Sequence, residues 1–104
     1  MPTEAYRFDA RKEDKTRRSA KQGMEFCKVF IKEKLPFGIF RMTINDKIFP
    51  NIKAANAGVM KFDTKDQNII HKIDILLEKI IVLDKKIFNN CYYVVVDCNS
   101  FSPQ

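Results

Sequence analysis

Three thiols and one imidazole are the side chains with the means for covalent or metal chemistry: Cys27, Cys91, Cys98 and His71. A cysteine nucleophile needs a base or cation beside it, and a structural zinc needs four converging thiolates or imidazoles at short spacings. Here the cysteines are odd in number and far apart, and no second histidine stands at ligand distance from His71. A disulfide framework, a metal site and a thiol active site are therefore not expected. With only three glycines there is no phosphate-cradling loop, and the acidic residues are interspersed with lysines rather than paired for acid–base work. The reading is a protein that binds without catalysing, and without a cofactor.

Binding chemistry is legible in a different pattern. Phe26, Lys28, Phe30 and Lys32 alternate ring and ammonium group; read as a strand from Met24 to Glu33, they share one face, with Cys27, Val29 and Ile31 on the other. Flat rings accept unstacked bases at roughly 1–3 kcal/mol per base, and neighbouring cations follow the phosphates. Arg41, Lys47, Lys53 and Lys61 would extend that charge across later strands, and Arg17 and Arg18 would add to it from an N-terminal arm. Lysine and arginine number 19 against 13 aspartates and glutamates, a net charge of +6 that favours polyanionic partners. In the competing reading that sheet face is covered, Phe26 and Phe30 are core, and the lysines extend their stems over it to reach water.

The 104 residues suffice for one hydrophobic core and not two. Residues 1–22 read as a basic, flexible arm with a mixed charge run from Arg11 to Arg18, and residues 23–104 as a single α+β domain. Leu35-Pro36-Phe37-Gly38 breaks the first strand into a hairpin. Ile39 to Asn45 then alternates as a second strand, Lys47 to Lys53 as a proline-interrupted edge strand, and Val59 to Phe62 as a fourth. Thr64 with Gln67 reads as a capping box. Beyond it, Ile69, Ile73, Leu76, Ile80, Leu83 and Ile87 recur at helical spacing. That periodicity predicts one long amphipathic helix over residues 65–88, packed on one face of an antiparallel sheet of four to five strands. Ile75 and Val82 fall on its polar side with His71 and Glu78, marking either a seam against another subunit or a surface covered by the last strand. Asn89-Asn90 breaks the helix, and Cys91 to Cys98, rich in β-branched and aromatic residues, is a strand.

That order of elements resembles the positive cofactor four type of single-stranded DNA-binding domain. The likeness rests on Phe37 to Asn45 as a central strand, Ala57-Gly58-Val59-Met60-Lys61-Phe62 as the last strand and Thr64 to Leu77 as the helix, covering about half the chain. The resemblance implies a basic N-terminal arm, a dimer formed through the helix, and single strands gripped by lysines and aromatics of the sheet. The chain departs from that family in lacking tryptophan, in its longer helix and in the strand after it.

The function expected from the sequence is a non-enzymatic nucleic-acid-binding module, with single strands favoured, acting as a homodimer. Its competitor is a protein-interaction subunit or viral accessory factor that binds another polypeptide through Ile75, Val82 and the sheet face. No apolar run reaches the roughly 18 residues of a membrane span, and the N-terminus is charged. No membrane partner is expected, and the cytoplasm or nucleus is the expected location.

Overall fold

Helix propensity and a buried stripe decide the first element. Ser19, Gly23, Cys27 and Phe30 recur at spacings of four, four and three and are all buried, while Lys21, Glu25 and Lys28 are exposed. In the computed structural model, which describes residues 10–53 and 55–101, α1 runs Ala10–Lys32. The strand expected over Met24 to Glu33 is thus a helix. Its short alternation also satisfies a 3.6-residue period, and the good helix formers upstream carry the helix through it. From Ala10 onward the expected arm is part of α1; residues 1–9 lie outside the described residues. A Schellman motif ends the helix: Lys34 takes a left-handed φ of 60°, its N–H donates to Ile31 O, and Leu35 N–H donates to Phe30 O at 2.9 Å.

Four strands follow: β1 Phe37–Arg41, β2 Ala57–Phe62, β3 Val82–Phe88 and β4 Cys91–Asp97. They form one sheet in the order β1-β2-β4-β3, every pairing antiparallel. A second helix, α2 Gln67–Leu77, lies between β2 and β3 in the chain and buries Ile70, Ile73 and Leu77. Asp66 is its N-cap, accepting from Asn68 N–H at 2.8 Å, and Thr64 Oγ accepts from Asp66 N–H. The cap therefore sits two residues beyond the expected Thr64.

The long C-terminal-half helix does not form, so the expected fold class is corrected: the molecule is α+β, with a four-stranded antiparallel sheet and two helices, the second only 11 residues long. Ile80-Ile81-Val82 is a β-branched run of low helix propensity. Asn89 and Asn90, with φ of 51° and 66°, make the two-residue hairpin turn that pairs Phe88 with Cys91. Hairpin pairing with β4 thus takes residues 82–88, although their apolar spacing also fits a helix. The expected edge strand at Lys47 to Lys53 is a loop, folded by turns around Asn45, whose carbonyl accepts from Ile48 and Phe49 N–H. Among the described residues two strands, not four, precede α2.

Both sheet faces are covered, to different extents. Between the helices and the sheet lie Cys27 and Phe30 of α1 with Phe40, Met60, Phe62, Tyr92, Val94 and Val96 of the strands. On the opposite face the 42–56 loop tucks Ile48 and Phe49 against Ala57, Val59 and Val95. Hence Val94, Val95 and Val96 of β4 are all fully buried. Tyr92, on the helix side, donates its hydroxyl to Asp74 of α2, and Lys85 of β3 reaches the same carboxylate at 3.4 Å.

Candidate nucleic-acid interface

On the sheet face away from the helices, cross-strand register assembles what sequence spacing does not. Ile39 stands opposite Lys61, and Lys61 opposite Tyr93, so an apolar group, an ammonium and a phenol ring form one row across β1, β2 and β4. Adjacent strands lie about 4.8 Å apart, which brings the ring and the ammonium group into neighbouring positions. Arg41, two residues beyond Ile39, projects from the same face beside Val59.

These residues line an open cleft of about 620 Å³ between β1, β2 and the start of the 42–56 loop. Thr43, Asn45 and Asp63 supply polar rim groups; Ile48, Phe49 and Val59 supply the apolar floor. Phe49 meets Tyr93 edge to face, with centroids 6.5 Å apart, which holds the tyrosine ring in place. Lys61 Nζ lies 3.8 Å from Asp63 Oδ1, an exposed pair of the kind that adds little to stability. Arg41 is exposed and has no ion pair among the described residues.

The expected ring-and-lysine platform on the first strand is not there, and the reason is the period of the element. On a helix, Phe26 and Phe30 are four residues apart and share the inner face, whereas Lys28 and Lys32 turn away to solvent. Phe30 is fully buried, with ring centroids 4.8 Å from Phe62 and 5.7 Å from Phe26. Phe26 is half-buried against Phe101. Lys28 is paired with Glu25 at 2.6 Å. Phe30 is therefore core and Phe26 packs beside it, but from a helix and not from the covered sheet face of the alternative reading.

Of the other sequence candidates, Arg41 and Lys61 come together in the cleft, while Lys47 and Lys53 are exposed on the 42–56 loop. Arg17 and Arg18 are exposed on α1. His71 and Glu78 are exposed, on and just after α2. Ile75 remains on α2 and Val82 lies on β3, so the two do not share a helical seam. Sequence reasoning missed Tyr93, Phe49 and Ile39. The available signal was the alternation in Cys91 to Asp97, which sets Tyr93 and Val95 on the face opposite Tyr92 and Val94.

Two of the three thiols, Cys27 and Cys98, are buried. Burial pushes the Cys27 thiol up to about 12 and, with the Asp97 charge adding to it, the Cys98 thiol up to about 11. Both stay protonated at neutral pH, and a protonated thiol is a poor nucleophile and a poor ligand. Among the described residues no cluster of three or more His, Cys, Asp or Glu could hold a metal ion, and no helix is long and apolar enough to cross a membrane. Comparison with protein-family models, with curated proteins and with solved structures finds no match.

Proposed function

We propose that the chain is a non-enzymatic nucleic-acid-binding module that takes single strands on the sheet face opposite its helices. The observation that carries this reading is the convergence of Arg41, Lys61 and Tyr93 on one cleft. Two cations beside a fixed aromatic ring match the two repeating elements of an unpaired strand, its phosphates and the flat faces of its bases. A duplex hides those faces within its stack, so a ring set in a cleft favours the unpaired form. The net charge of +6 supplies the long-range attraction.

The test is fluorescence anisotropy with a labelled 12-nucleotide single strand at 50 and 200 mM salt. Binding that weakens with salt, and weakens further in Arg41→Ala and Lys61→Ala, supports the cleft. Absence of binding at 50 mM salt, or an equal loss from Lys28→Ala with Lys32→Ala on the far side of α1, overturns it. A second reading, contact with another polypeptide, is favoured by one observation: every residue of β3 is exposed.

A further inference from the structure

An outer strand normally carries few large apolar groups and is guarded by charge. Yet among the described residues β3 and the residue before it hold five of the eight large hydrophobic side chains that stand exposed: Ile81, Val82, Leu83, Ile87 and Phe88, at 37–55% exposure. The strand is one of the two edges of the sheet, β1 being the other, since among the described residues β4 is its only neighbour in the order β1-β2-β4-β3. A two-residue hairpin makes Phe88 and Cys91 a mutually hydrogen-bonded pair. Lys86 and Asp84 therefore turn their backbone groups toward β4, while Lys85 and Ile87 turn theirs outward. The Lys85 N–H confirms this direction, donating to the neighbouring Asp84 carboxylate at 2.8 Å rather than to a strand.

We propose that β3 pairs antiparallel with β3 of a second copy of this chain, joining the two sheets into one of eight strands. The commitment to a second copy comes from the sequence of the edge, Val82-Leu83-Asp84-Lys85-Lys86-Ile87-Phe88, which complements itself about Lys85. With a two-fold axis at that residue, Asp84 faces the other copy's Lys86 and Lys86 faces its Asp84, while Leu83 and Ile87 meet on both sides. Every charged pair off the axis is thus of opposite sign, the arrangement that favours cross-strand pairing. The outward N–H and C=O of Lys85 would bond their counterparts in the second copy, replacing the local bond to Asp84. The two Lys85 ammonium groups at the axis are each held by their own Asp74, which offsets their repulsion. The bulge between Val82 and Asp84 sits at the end of the paired segment rather than its centre. Lys86 Nζ reaches Ile48 O at only 3.4 Å and has three donors, so it can serve a carboxylate as well.

Sedimentation velocity without nucleic acid tests the pairing, and its outcome is independent of the cleft. The protein should show a concentration-dependent monomer–dimer equilibrium. Asp84→Lys alone and Lys86→Asp alone each place like charges opposite one another at two sites and should raise the dimer Kd about tenfold or more. Mixing these two variants restores complementary pairs, so the mixture should dimerise where neither variant does so alone. Both substitutions are on an exposed edge, and unchanged circular dichroism shows that the fold persists; should one variant unfold, the double variant Asp84→Lys/Lys86→Asp, which restores both pairs within one chain, should dimerise like the parent. A protein that stays monomeric at several hundred micromolar, or a dimer indifferent to these reversals, overturns the proposal.

Discussion

The ring of Phe40 fills the space that a side chain on Gly23 would need: a Cβ there would lie 2.3 Å from Phe40 Cε2 and 2.4 Å from Cζ. Gly58 confines the same ring from the other side, where a Cβ would come within 2.7 Å of Cζ. One phenylalanine on β1 is therefore held between a helix and the adjacent strand, and the two glycines set how closely α1 approaches the sheet. Gly23→Ala gains about 1 kcal/mol of helix propensity. It also forces a confined ring to move, an overpacking cost of about 1–3 kcal/mol. The substitution should lower stability in urea denaturation, and Phe40→Leu should lower it less in the Gly23→Ala background than in the parent. Additive effects in that double-mutant cycle would show that the ring is not confined as described.

Lys34 occupies the left-handed position that ends α1, where glycine is the residue with no steric penalty. Lys34→Gly removes that strain, against the greater freedom it gives the unfolded chain. A net gain of about 0.5 kcal/mol is expected, read as a rise of about 2–4 °C in Tm. A fall in Tm would mean that the Lys34 side chain contributes more than its backbone loses.

Only part of the fold was legible, where local preference and tertiary pairing agree. The strands at Val59 to Phe62 and Cys91 to Cys98 lie within a residue or two of β2 and β4. Misreading came where two periods fit the same residues. Phe26, Lys28, Phe30 and Lys32 alternate, yet the decisive information lies upstream, in the helix-forming run from Ala10 to Gln22. Residues 80–88 show the converse: Ile80, Leu83 and Ile87 keep helical spacing, and the turn at Asn89-Asn90 fixes them as the first arm of a hairpin. Two consecutive asparagines between Ile87-Phe88 and Cys91-Tyr92-Tyr93 carried that signal. The cleft was half legible. Arg41 and Lys61 stand out as basic residues of strands, whereas their meeting with Tyr93 depends on the β1-β2-β4 order, which alternation alone does not encode.

Buried thiols make alkaline stability a test of the core beneath α1. With its ordinary value at 9.0 and its folded value about 12, Cys27 keeps its proton in the folded chain after the unfolded chain has lost it. Protonation differs between the two states only above pH 9, so the contribution is whole below that pH and is lost as pH rises toward 12. Each such thiol steepens the decline by up to about 1.4 kcal/mol per pH unit. Chemical denaturation between pH 8 and 10.5 should therefore show a shallower decline for Cys27→Ala than for the parent. Parallel declines would place the thiol in contact with water. In the folded protein at pH 8, a disulfide reagent should label Cys91, the half-exposed thiol, well before Cys27 or Cys98.

Tyr93 separates stacking from charge in the proposed interface. The ring contributes a face and the hydroxyl a polar tip, so Tyr93→Phe keeps the stacking surface and Tyr93→Ala removes it. Tyr93→Ala should weaken single-strand binding by about 1–2 kcal/mol with the salt slope unchanged, because no phosphate contact is lost. Tyr93→Phe should bind within about twofold of the parent. Lys61→Ala should do the opposite of Tyr93→Ala, lowering the slope of log K against log salt by about one unit. Because Phe49 and Val95 still cover the neighbouring floor, the alanine variant should stay folded, which thermal denaturation checks directly. If Tyr93→Ala and Tyr93→Phe both bind like the parent while Lys61→Ala does not, the cleft holds phosphate alone and the ring is part of the core.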